Sequence, residues 1–146
     1  MPTDPLVTFR RPPASLRVVR IRRFARQLQR EVARGALFHC LITGDAELRA
    51  LNSRFRSKDV PTDVLSFPSG SRELLGDIAI SLGRARAQAR ERAHSIEQEV
   101  CILMLHGVLH LTGMDHETDR GQMARAETRW RRKLDLPAGL IERTRS

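Results

Sequence analysis

The chain has 146 residues, 40% of them hydrophobic and 29% charged, the balance of a globular protein long enough to bury one sizeable core. Its longest apolar run, Val100–Leu105, is far too short to cross a bilayer, which excludes a membrane-spanning protein. The formal net charge of +9 points to an anionic partner, nucleic acid first; Lys58 and Lys133 are the only lysines, so the charge is almost all arginine, whose rigid fork of donors suits phosphate.

In chain order, Leu6–Phe9 is expected as a short edge strand, ended by Arg10, Arg11 and the Pro12-Pro13 pair. From Leu16 to Arg34 the pattern turns helical, with Val18, Ile21, Ala25, Leu28 and Val32 at three- and four-residue steps and arginines over much of the remaining surface. Gly35 closes that helix. Ala36–Thr43 (ALFHCLIT) reads as a buried strand, with His39 as a core residue rather than a ligand. Cys40 in this strand and Cys101 in VCILML behave as small buried hydrophobes, and two cysteines make no disulfide scaffold. The opening MPTDPLVTFRRPPAS also lacks the apolar core of a signal peptide, so a reduced cytoplasmic setting is expected. Asp45 is placed to cap a short helix whose apolar positions are Leu48, Leu51 and Phe55.

The stretch NSRFRSKDVPTDVLSFPSG, Asn52 to Gly70, follows. Pro61 forces an extended approach into a strand over Val64–Phe67, and Pro68 ends it. Arg54, Arg56, Lys58, Asp59, Thr62, Asp63 and Ser66 crowd polar groups around that strand, as a solvated turn or as a binding surface. Leu74–Leu82 (LLGDIAISL) is the next strand, its alternation interrupted by Gly76-Asp77 in the manner of a bulge or a close backbone approach. Gly83–Ala93 is an alanine- and arginine-rich helix. Ser95-x-x-Gln98 has the form of a capping box opening the next helix, which is apolar on most faces from Val100 to Leu111 and must therefore be central. Asp119-x-x-Gln122 can cap a last helix reaching about Leu134, with Met123, Trp130 and Leu134 as core contacts. The alternation predicts one α+β domain over residues 1–146: a mostly mixed β-sheet of about four strands packed with about five helices.

The chemistry is concentrated in HGVLHLTGMDH, His106 to His116. His106 and His110 are four apart and share one helix face; Gly113 stands where the helix stops, and the reversal brings His116 back towards the pair. Three neutral imidazoles converging with a fourth position open are how catalytic zinc is held, so one zinc per chain is expected. The spacing is also that of the metzincin proteases, whose general-base glutamate is replaced here by Gly107. Glycine inside a helix costs roughly 1 kcal/mol relative to alanine, so Gly107 either leaves room beside the metal or allows close packing on a strand.

Three blocks in order, NSRFRSKDVPTDVLSFP, LLGDIAIS and HGVLHLTGMDH, resemble the YbeY family of bacterial metal-dependent endoribonucleases that mature ribosomal RNA. Met114 departs from the family pattern, which usually has tyrosine before the Asp-His pair. The resemblance implies that His106, His110 and His116 are zinc ligands and that Arg56 is the basic residue facing the substrate cleft. It implies single-stranded RNA as substrate, notably ribosomal precursors such as the 16S 3′ end, with the small ribosomal subunit and its assembly factors as partners, and neither DNA nor membrane. Arg54, Lys58 and Ser66 are expected to help bind substrate, and Asp115 to support a ligand histidine or cap a helix. Two other functions remain open: an assembly factor with a purely structural zinc site, and a metallopeptidase, which Gly107 argues against.

Overall fold

The computed structural model describes residues 6–56, 62–116 and 118–145. The elements run β1 (Val7–Phe9), α1 (Val18–Glu31), β2 (Leu37–Thr43), α2 (Asp45–Arg56), β3 (Val64–Pro68), β4 (Leu74–Ser81), α3 (Leu82–Arg92), α4 (Ile96–Leu111), α5 (Gln122–Lys133) and α6 (Leu140–Arg145). The four strands form one mixed sheet in the order β1-β2-β4-β3. β1, β2 and β4 are parallel, and β3 pairs antiparallel with β4, Leu65 opposite Ala79 and Phe67 opposite Asp77. The α+β architecture matches the sequence expectation. The addition is α6, a short helix beyond the one expected to be last.

Strand alternation sends the two faces of the sheet to different partners. Phe38, Cys40 and Ile42 of β2 with Ile78 and Ile80 of β4 meet α1 and α4 in the main core. On the other face, Leu65 and Ala79 meet Leu48 of α2, with Leu51 and Phe67 partly buried around them. His39 belongs to that second, thinly covered face: its side chain is 40% exposed and bonded to Thr8 Oγ1, which corrects the expectation of a core histidine. Phe55 is likewise not a core contact, since it stays 60% exposed. Asp45 opens α2, and its carboxylate accepts from the Ser81 hydroxyl at 2.5 Å.

The irregularity at Gly76 is real. Leu37 pairs with Leu74 but His39 with Asp77, so β4 carries one extra residue there. Gly76 has φ +144°, and a Cβ on it would collide with the Phe67 carbonyl oxygen. No helix among the described residues is long and apolar enough to cross a membrane.

Helix α4 is the central element, buried along nearly its whole length and packed on β3, β4, α1, α3 and α5. Burying an acidic residue such as Glu99 in it requires partners. Arg143 of α6 supplies a bidentate pair at 2.7 and 2.9 Å, and His94 Nε2 lies 2.7 Å from Oε1. That pairing is what docks α6.

Candidate active site

Both ends of α4 are determined locally. Ser95 Oγ accepts from the Gln98 amide at 3.0 Å and Gln98 Oε1 accepts from the Ser95 amide at 3.0 Å, the expected capping box. At the other end Gly113 takes φ +104°. Its amide donates to the His110 carbonyl at 2.9 Å, and the Met114 amide to the Leu109 carbonyl at 3.3 Å, the two bonds of a Schellman turn. The turn folds the chain back over the helix end, where the Met114 carbonyl accepts from His110 Nδ1 at 2.9 Å. His116 then returns to the pair, with ring centroids 5.7 Å from His106 and 5.8 Å from His110, while His106 and His110 are 4.8 Å apart.

One ligating atom from each ring lies within 4.8 Å of the other two. Among the described residues this is the one cluster of three or more groups able to hold a metal ion. His106 is buried, and its Nδ1 donates at 2.8 Å to Oε2 of Glu127 on α5. With Nδ1 of His106 and of His110 both engaged as donors, the Nε2 lone pairs are free to ligate. Nδ1 of His116 is buried with no hydrogen-bond partner among the described residues, as a nitrogen awaiting a ligand would be. Burial holds the His110 pKa below the ordinary histidine value, and neighbouring His106 acts in the same direction, so the ring is neutral, as a ligand must be. The donor set therefore fits a three-histidine metal site. A cavity of about 370 Å³ opens beside His106 and His116, lined also by Asp63, Gln88, Arg92 and Arg143.

Gly107 has a packing role. A Cβ there would lie 3.0, 3.1 and 3.2 Å from three carbons of Ile78 in β4, so the glycine lets α4 settle onto the sheet. A glutamate, as the peptidases have, would point into that contact rather than at the cavity.

The sequence brought the three histidines together correctly but missed Glu127. It is 1% exposed, and its other oxygen accepts from the Ile141 amide at 2.8 Å, so it also anchors the start of α6. The available signal was a lone acid on the apolar stripe of Met123, Trp130 and Leu134 in an arginine-rich helix. Asp115, expected to support a ligand histidine or cap a helix, is exposed; the bonds to Nδ1 of His106 and His110 come from Glu127 and the Met114 carbonyl. Ser66 is buried and points at α4, its hydroxyl 3.4 Å from the Gly107 carbonyl. Arg54 is exposed, with its guanidinium 5.6 Å from the Phe55 ring centroid. Arg56 is the last residue of α2, but its side chain and all of Lys58 lie outside the described residues.

The family model for Endoribonuclease YbeY matches residues 16–135. The chain belongs to the YbeY family. A relative from Solibacter usitatus (strain Ellin6076), named Endoribonuclease YbeY, is 70% identical over 145 residues, covering 99% of this chain and 98% of its own. Another of that name from Koribacter versatilis (strain Ellin345) is 56% identical over 104 residues, 71% of this chain and 68% of its own. A Thermotoga maritima protein solved in solution is similar in fold, with a TM-score of 0.60 at 24% identity over 86% of each chain. The family match spans the Schellman turn and all three histidines.

Proposed function

We propose that this protein is a zinc-dependent endoribonuclease, one domain over residues 1–146, that cleaves single-stranded RNA in the maturation of ribosomal RNA, including the 16S 3′ end. The observation that carries this reading is the histidine trio, with Nδ1 of His106 held by Glu127 and Nδ1 of His110 by the Met114 carbonyl, in a chain of the YbeY family. Its expected setting is the cytoplasm, with the small ribosomal subunit and its assembly factors as partners. An excess of arginine over acidic residues supports an RNA partner.

His106, His110 and His116 would hold the zinc, which when bound supplies a Lewis acid that polarises a phosphoryl oxygen. Glu127 keeps His106 in one tautomer and orientation. Arg56 neutralises the negative charge that grows on the phosphate, through a planar pair of donors. Position 107 supplies no general base, which leaves the metallopeptidase alternative without its proton acceptor.

Purified protein should carry about one zinc equivalent, largely lost in His110→Ala. The ends of the RNA products then discriminate the chemistry: a 5′-phosphate on the downstream fragment, with a 3′-hydroxyl on the upstream one, identifies water as nucleophile, and a 2′,3′-cyclic end identifies the RNA's own hydroxyl. Arg56→Ala should keep zinc and melting temperature yet lose cleavage, and Arg56→Lys should recover part of it, because an ammonium lacks the fork. If Arg56→Ala loses melting temperature and activity together, Arg56 holds the fold and does not act on the phosphate. Cleavage no greater than that of the histidine variant would make the protein a zinc-stabilised assembly factor.

A further inference from the structure

The chain has six aromatic residues, five Phe and one Trp. Phe9, Phe24, Phe38, Phe67 and Trp130 are buried or half-buried, whereas Phe55 leaves 60% of its surface open. A single exposed aliphatic residue needs no explanation. Phe55 differs in being held: Phe67 meets its ring edge-to-face at 5.6 Å between centroids and 68° between planes, and the Arg54 guanidinium stands 5.6 Å from its centroid. Phe67 in turn packs on the small core of Leu48, Leu65 and Ala79, which ties the exposed ring to the sheet.

We infer that Phe55, with Arg54, is a stacking platform for an unpaired RNA base. The inference rests on the endoribonuclease reading and names how that enzyme grips single strands. An aromatic face accepts any base by stacking, and only an unpaired base can leave its partner to reach it. Arg54 adds positive charge beside the ring for the adjoining phosphate and a cation–π contact that disfavours folding the ring away. Position suits the role. Phe55 immediately precedes Arg56 in the sequence, the arginine proposed to meet the scissile phosphate. Its partner Phe67 lies on β3, one of the sheet's two edge strands, one residue from Ser66, whose hydroxyl points at Gly107 next to His106. A strand passing round this edge meets the ring on one face of β3 and the histidine helix on the other.

The test uses zinc-loaded protein and a short single-stranded RNA carrying 2-aminopurine, mixed in a stopped-flow instrument and read before cleavage. The wild type should quench the base on binding. Phe55→Ala should lose the quench and bind roughly fivefold to a hundredfold more weakly, the span found for removing one stacking partner. Phe55→Trp should restore both, while Phe55→Leu, which keeps apolar area without a π face, should not. Affinity for a duplex of equal length should be unchanged in all three, and the melting temperature should be unchanged in Phe55→Trp and fall only slightly in the other two, which lose the edge-to-face contact with Phe67. Equal single-strand binding and quenching by wild type and Phe55→Ala would overturn the platform, as would parallel losses in single-strand affinity, duplex affinity and melting temperature. If the wild type cuts RNA but Phe55→Ala binds it equally well, this inference fails alone. If the quench follows Phe55 but nothing is cut, the nuclease reading fails alone.

Discussion

Replacing Glu127 separates the support of the metal site from the ligands themselves. The carboxylate is 1% exposed and receives two bonds, from His106 Nδ1 and from the Ile141 amide, each at 2.8 Å. Gly139 packs so tightly against it that a Cβ there would collide with Oε1. Glu127→Ala strands two buried donors, each costing about 1–3 kcal/mol, so the metal-free protein should lose roughly 2–6 kcal/mol of stability. Loss of the carboxylate behind a ligand histidine typically weakens metal binding about 10–100-fold, equivalent to roughly 1.4–2.7 kcal/mol. Glu127→Gln keeps the volume, but its amide group can accept through only one oxygen. It should therefore fall between wild type and Glu127→Ala in both respects. Competition for zinc against a chromophoric chelator gives the affinity, and melting of metal-free and zinc-loaded protein gives the stability. Zinc affinity within twofold of wild type in Glu127→Ala, with stability alone reduced, would show that Glu127 only anchors α6 and that the support of His106 has been misread.

Three further outcomes are expected. Gly107→Ala should lower the melting temperature while keeping its zinc: overpacking against Ile78 costs about 1–3 kcal/mol and the gain in helix propensity returns only about 1, and the loss should shrink in an Ile78→Val background. A melting temperature at or above wild type would refute the packing role. Burial pushes the thiols of Cys40 and Cys101 up, that of Cys101 to about 12, so neither forms thiolate near neutral pH and both should resist alkylation at pH 8 until the protein is unfolded; rapid labelling of the native protein would contradict this. RNA binding should weaken with salt, each neutralised phosphate adding about −0.7 to the slope of log affinity against log salt, and a flat dependence would mean that the +9 charge is not a binding surface.

The histidine site was legible because all of its determinants are local. An i, i+4 pair, a glycine for the left-handed turn and a third histidine lie within eleven residues, and the Schellman bonds need nothing from elsewhere. The capping box at Ser95 was legible for the same reason. Glu127 was hidden because its bond crosses from α5 to α4, and only its place on an apolar stripe marked it. Helix α6 was hidden too: at six residues it has little helical stability of its own, and Arg143 docks it onto Glu99, a contact between distant parts of the chain. His39 was misplaced because an apolar run was read as buried on both faces, whereas strict alternation with Phe38 and Cys40 puts it on the face that α2 only partly covers. Phe55 followed the helical period yet lies at the end of α2, past the reach of the small core. The departure from the expected pattern there is where a ligand contact is inferred.

The central claim is that the three histidines serve RNA cleavage and not only the fold. The most direct measurement compares zinc-loaded wild type with His116→Ala on one defined single-stranded RNA, with melting temperature followed alongside. His116 is half-buried and lies on the turn beyond α4, outside the helix, so its loss should leave the helix and core standing. Internal cleavage by the wild type, abolished in a His116→Ala protein that remains folded, is the predicted result. A folded His116→Ala protein that cuts the RNA as fast as wild type would contradict it.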